Sequence, residues 1–410
     1  MSRETEGAGR PDPGRSPVGR RDPARRRGRG RDVRQPVLFI TSHAPFDRVG
    51  GFVGLHEREG VEFALFGGRS QHGGELDADV SDSSSSSRCD SLLPFPHRRV
   101  AQREVARLAA SGRYRAVVCS SGGRLALPLG WAGARTAGAP VILWTSLWAH
   151  PRSPAHALSY LALARLYRSA EAVVTYGPHV SAYVRARGAR NVHVALQAVD
   201  NAFWSGEPDG PPTSPRWPAG AATKFLFAGR PTREKGLGVL LEAWSISGLA
   251  ASSAALVLVG VGSIPPWVPA GGAVRAGVVC MDAVGPDELR RMYAAADALV
   301  LPSIATRTFR EPWGLVVNEA MNQELPVIVS DAVGAAAGGL VRDGHNGLVV
   351  RGGDAAALAE ALGSVAGDAS LRSRLGAAGG RDVGAYAQDA WAAGFSRALA
   401  SLGLSREGRW

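Results

Sequence analysis

The stretch Arg310-Glu311-Pro312-Trp313-Gly314-Leu315-Val316-Val317-Asn318-Glu319-Ala320-Met321 decides how this chain is read. Pro312 fixes its own φ and biases Glu311 away from the helical region. A helix is therefore predicted to open at Pro312 or Trp313, with Glu311 at its mouth and Glu319 two turns in. The first amides of such a helix lack intrahelical partners, and Gly314 has no side chain to keep an anion away, which suits a phosphate. Glu311 carries the wrong charge for that phosphate. Two carboxylates framing a phosphate-seeking helix end suit the hydroxyls on either side of a diphosphate, those of a ribose and those of a sugar.

Downstream lie Pro326-Val327-Ile328-Val329-Ser330-Asp331 and Asp343-Gly344-His345-Asn346-Gly347-Leu348-Val349-Val350, and upstream Phe227-Ala228-Gly229-Arg230-Pro231-Thr232-Arg233-Glu234-Lys235-Gly236. Arg230 at a strand end and Lys235 at the following helix start can both point into a cleft. Together these segments resemble the C-terminal half of the family 4 (group 1) glycosyltransferases. The likeness lies in glutamate, seven residues, glutamate, followed by Ala-Met, and in Gly-Arg, four residues, Lys-Gly. It covers about residues 37–402 and is specific from 225 to 350.

The resemblance implies an α/β chain of GT-B architecture, two Rossmann-like doubly wound domains facing across a cleft. It also implies transfer of a sugar from a nucleotide-diphosphate donor with retention of anomeric configuration. In that family Arg230 and Lys235 would clamp the diphosphate, Glu319 the ribose hydroxyls and Glu311 those of the donor sugar. The main chain at Trp313, Gly314 and Leu315 would face the phosphates. Gly260, in the turn Gly260-Val261-Gly262, would lie under the nucleotide, and Met281 in the segment that reads the base. Relatives place a histidine near the reacting sugar at the end of an N-terminal strand, and His150 is the nearest candidate, though it lies several residues beyond the expected position. No metal and no cofactor are implied.

At 410 residues the chain is long enough for two domains, and 45% hydrophobic residues can fill their cores. The net charge of +11 is almost wholly arginine, since Lys224 and Lys235 are the lysines present. Cys89, Cys119 and Cys280 show no metal or disulfide spacing, which fits a reducing cytoplasm. Residues 1–34 hold eleven arginines and five acidic residues without apolar periodicity, and are expected to be a disordered tail. A solvated tail and a peripheral contact with anionic membrane both suit that charge. A twin-arginine export signal does not, because more charge follows Arg20-Arg21 where an apolar run is needed.

Residues 35–205 alternate strand and helix, as an N-terminal acceptor domain with a parallel sheet should. Val37 to Ser42 is its first strand, and Gly50-Gly51 shortly after it suits either a tight turn or close backbone approach to a phosphate. Trp148, after the strand Pro140 to Thr145, could stack on a sugar. The serine-rich stretch Glu75 to Asp90 is expected to be an exposed loop. Asp77-Ala78-Asp79 within it resembles a metal-binding motif, but it does not sit at a strand end. Residues 206–223, rich in proline, are a linker, residues 224–385 form the donor domain, and the last helix, within 386–410, is expected to pack back on the first domain.

A glycosidase would need one of its two acids with a raised pKa, which a neighbouring Arg and Lys would oppose. A polyanion-binding protein would interleave basic and aromatic residues along its domains, whereas the arginines here concentrate in the tail, so specific nucleic-acid binding is not expected. A sugar-nucleotide epimerase of the same fold remains an alternative and would act on donor without an acceptor. Two departures from the family are Asn322-Gln323-Glu324 after Ala-Met, and Val333 to Gly339, which lacks the acid that relatives place there.

Overall fold

A computed structural model of the chain describes residues 32–67, 93–123, 125–213, 217–218, 220–252, 254–268 and 276–407. The expected tail up to residue 31, the loop Glu75 to Asp90 with its Asp77-Ala78-Asp79, and part of the proline-rich linker lie outside the described residues.

The N-lobe is built on β1 (Val37–Thr41), β2 (Val61–Leu65), β3 (His97–Arg99), β4 (Ala116–Ser120), β5 (Val141–Thr145), β6 (Ala172–Thr175) and β7 (Val192–Val194). All its pairings are parallel, in the order β3-β2-β1-β4-β5-β6-β7. Its helices are α1 (Val49–Glu59), α2 (Val105–Ala109), α3 (Ala126–Thr136), α4 (Pro154–Ser169), α5 (Pro178–Arg185) and, at the crossing to the second lobe, α6 (Asn201–Ser205). Strands covered on both faces must be apolar throughout, and β1 is buried at all five positions. Val37 and Phe39 point to one face, with Phe52, Phe63 and Trp144, while Leu38 and Ile40 point to the other.

The C-lobe repeats the plan with β8 (Thr223–Ala228), α7 (Leu237–Ser247), β9 (Ala254–Val259), β10 (Val278–Met281), α8 (Pro286–Ala295), β11 (Ala298–Leu301), α9 (Leu315–Asn322), β12 (Val327–Ser330), α10 (Gly334–Ala337) and β13 (Leu348–Val350). Its sheet runs β10-β9-β8-β11-β12-β13, again parallel. Sequence order reverses between β8 and β11, and ligands of such sheets bind outside the strand ends at that point. The helices α11 (Ala355–Gly367), α12 (Ala369–Val383) and α13 (Gln388–Ser401) complete the chain.

Val199 and Trp204 already pack in the C-lobe core, ahead of the proline-rich stretch. The chain returns at Ala387, bridged to Val199, and α13 then lays Trp391 and Phe395 on Phe39 and Phe52 of the N-lobe. Below the N-lobe sheet, Arg115 and Glu59 form a fully buried ion pair at 2.8 Å. Arg115 also donates to the carbonyls of Gln35 and Leu404, and Arg406 to those of Val33 and Arg34. Asp32 to Arg34, assigned by composition to the tail, are thus pinned to the lobe.

Candidate donor-binding site

The loops after β8 and β11 meet at the reversal point. Gly236 closes the first loop at φ 74°, and a Cβ there would lie 2.0 Å from the carbonyl oxygen of Pro302 at the end of β11. Only glycine lets the two loops touch, and the contact sets Lys235 beside Glu311. Lys235 Nζ donates to Glu311 Oε2 at 2.6 Å, and Ser303 Oγ donates to the same oxygen at 3.3 Å. Glu311 is buried, and no hydrogen bond from the described residues reaches its Oε1. Arg230 follows β8 on the same sheet edge, and its guanidinium has no ion pair among the described residues. Arg233 is exposed and lies over the Trp267 ring.

The helix after Glu311 begins later than Pro312 predicts. α9 starts at Leu315, and Gly314, at φ 90° and ψ 71°, is its cap. Pro312 and Trp313 precede the helix because residues 311–313 are held against residues 333–335: Gly334 N–H donates to Glu311 O and Ala335 N–H to Trp313 O. A Cβ on Gly334 would lie 2.0 Å from Pro312 O. The Trp313 side chain is turned into the protein. It is buried, donates from Nε1 to Asn318 Oδ1 at 2.7 Å, and packs between His179 and Tyr386. The first amides of the helix are thus those that begin at Leu315.

Glu319 lies further along α9 and accepts a 2.8 Å hydrogen bond from Tyr293 OH on α8. Burial of its carboxylate raises the Glu319 pKa to about 7. The Tyr293 bond opposes that rise and the charge of Asp47, from the N-lobe, adds to it.

Other expected donor residues are placed as follows. Gly260, at φ 79°, passes close to the carbonyl of Gly229, and Met281 ends β10, where its carbonyl accepts from Val261 N–H. Gly50 and Gly51 lie in the first turn of α1. Their missing side chains make room for α13: a Cβ would meet Gln388 at 1.9 Å on Gly50 and Trp391 at 3.0 Å on Gly51.

His150 is not the histidine that reaches the Glu311 segment. It lies beyond β5 with its ring edge-on to Tyr160. The segment is met by His179, at the start of α5, whose Nε2 is 3.3 Å from Pro312 O. Nor is the Trp148 face open for stacking, since the Arg310 guanidinium covers it at 4.9 Å and its Nε1 donates to Glu311 O. His179 was not singled out from sequence. Its position just past the end of β6, on the edge where ligands gather, was the available signal.

Residues 222–368 match the family model of the group 1 glycosyl transferases. The D-inositol 3-phosphate glycosyltransferase of Nocardia farcinica is 41% identical over 119 residues, 29% of this chain and 23% of that protein. The lipopolysaccharide core biosynthesis glycosyltransferase LpsE of Rhizobium meliloti is 35% identical over 116 residues, 28% of this chain and 32% of that protein. These alignments thus span about a third or less of the curated relatives. Among solved structures, HepE of Anabaena in complex with UDP and glucose superposes with a TM-score of 0.65, at 18% identity over 90% of this chain and 100% of that chain. Sucrose-phosphate synthase of Thermosynechococcus elongatus superposes with a TM-score of 0.64, at 19% identity over 90% and 99%. The fold is GT-B, two Rossmann-like lobes, and the stretch that matches the group 1 glycosyl transferase model lies in the C-lobe.

Proposed function

We propose that the chain is a retaining glycosyltransferase of family 4 that moves a sugar from a nucleotide-diphosphate donor to a separate acceptor. The observation that carries this reading is the contact of Lys235 with Glu311 at the β8/β11 reversal, with Arg230 in the loop after β8 and the start of α9 and Glu319 following Glu311. Breaking a sugar–diphosphate bond leaves negative charge on the diphosphate. Two cations and unpaired helix amides stabilise that charge most where it is largest, in the transition state. In this reading the two cations neutralise the diphosphate as a metal would otherwise, and the reaction as proposed uses neither metal nor cofactor.

Glu311, held by Lys235 and Ser303 through Oε2, would accept from donor-sugar hydroxyls through Oε1, and Glu319 from the ribose. Neither moves a proton. The acceptor would attack from the leaving-group side and pass its proton to the departing diphosphate oxygen, which retains configuration. HepE, a structural neighbour, binds UDP and glucose, and a uridine donor is the first to try. Dependence on a nucleotide sugar favours the cytoplasm, and among the described residues no helix is long and apolar enough to cross a membrane.

The test is incubation with a panel of nucleotide sugars, with and without candidate acceptors, following nucleoside diphosphate release and the anomeric form of the product by NMR. Acceptor-dependent release from one donor with retained configuration supports the proposal. Isomerised sugar formed from donor alone would support the epimerase reading, and no turnover of any donor would overturn both.

A further inference from the structure

The carboxylate aimed at the donor sugar belongs to the C-lobe, yet its main chain is gripped by the N-lobe. Trp148, in the loop after β5, donates from Nε1 to Glu311 O at 3.2 Å. His179, after β6, meets the next carbonyl, Pro312 O, at 3.3 Å. A carbonyl only accepts, so His179 Nε2 carries the proton, and burial, which lowers the His179 pKa, keeps the ring neutral. The two N-lobe rings brace each other edge to face at 5.0 Å.

The space around them is kept by glycines. A Cβ on Gly177 would lie 3.1 Å from the His179 ring, and one on Gly338 would lie 2.5 Å from Trp313 and 3.0 Å from His179 Nδ1. Across the lobes, Arg152 N–H also donates to Arg307 O at 2.6 Å and Asn318 Nδ2 to Gln197 O at 3.1 Å. The segment carrying Glu311 is thus held from the C-lobe by Lys235, Ser303 and residues 333–335, and from the N-lobe by two side chains on consecutive carbonyls.

Resting on the reading of Glu311 as the donor-sugar ligand, we propose that Trp148 and His179 are positioning residues that aim Glu311 from the opposite lobe. Sugar recognition then depends on this grip from the N-lobe, whereas Arg230 and Lys235, read as facing the diphosphate, both belong to the C-lobe. Neither ring need touch substrate. Misplacement of a substrate-positioning group by 1 Å costs about 100-fold in rate, which sets the scale of the effect.

The experiment compares wild type with Trp148→Phe, His179→Leu and His179→Gln, whose amide can replace the lost N–H. Without ligand, hydrogen exchange is followed across residues 304–314. With UDP and UDP-glucose as probes, calorimetry gives the two affinities and UDP release gives kcat and KM. The expected result is faster exchange in Trp148→Phe and His179→Leu, unchanged UDP affinity, weakened preference for UDP-glucose over UDP, kcat lower by about 100-fold and recovery in His179→Gln. Unchanged exchange, wild-type kcat, or equal loss of UDP and UDP-glucose binding would overturn the proposal. Should wild type bind neither probe, a uridine donor is what fails, and the exchange arm still decides the latch.

Discussion

Glu319 and Glu311 are both glutamates of one motif, and their surroundings set them apart. Glu311 is held by Lys235, while among the described residues Glu319 meets the neutral Tyr293 hydroxyl and feels the charge of Asp47. The folded pKa of Glu319, about 7, is raised above the ordinary 4.5, so its contribution to stability is fully present below about 4.5 and lost as pH rises through 7. The ionised form offers both oxygens to the ribose hydroxyls, whereas the protonated form carries a proton on one of them, so donor affinity should rise as pH passes through 7. Tyr293→Phe removes the bond that holds the pKa down and should move that midpoint higher, read from the pH dependence of the donor Kd. An unmoved midpoint would contradict the assignment. Lys235→Met leaves the buried Glu311 carboxylate with Ser303 alone and should cost about 2 kcal/mol in denaturant unfolding. Lys235 and Glu311 were legible because a motif fixes their spacing. Tyr293 and His179 were not, because their partners lie 26 and 133 residues away and no local pattern joins them.

At the scale of elements, the strands were the legible part. Parallel strands covered on both faces must be short continuous apolar runs, as β1, β4, β5, β8 and β9 are. Helix starts were less so. Proline favours the first helical turn, but the backbone at Gly314 takes a left-handed conformation imposed by packing of residues 311–313 on 333–335, which no local rule contains. The packing of Gly50-Gly51 was hidden for a similar reason, since the helix their missing side chains make room for, α13, is more than 300 residues away. Trp391 on that helix packs with Phe39, Phe52, Trp144 and Phe395 in the N-lobe core. Trp391→Ala should therefore destabilise the protein by about 3–5 kcal/mol, measured by chemical denaturation. A loss below about 1 kcal/mol would mean that α13 does not stay docked.

For the whole molecule, repeated strand and helix announced two doubly wound lobes, and the two sheets with GT-B neighbours bear that out. The grip of the lobes on each other was not legible, because it runs between single side chains and main-chain carbonyls. The ends of the chain carry a further consequence. A protein starting at Asp32 keeps the carbonyls that accept from Arg115 and Arg406, whereas one starting at Pro36 leaves the buried Arg115 short of an acceptor and should melt at lower temperature. Equal melting of the two would show that those bonds contribute nothing. The central claim, that the loops after β8 and β11 hold a nucleoside diphosphate, is tested most directly by calorimetric titration of UDP, ADP and GDP into wild type and Arg230→Ala. The expected result is binding of at least one diphosphate to wild type and about 10- to 100-fold weaker binding to Arg230→Ala, with the ligand-free melting temperature unchanged. Equal affinity in the two proteins, or no binding to wild type, would contradict it.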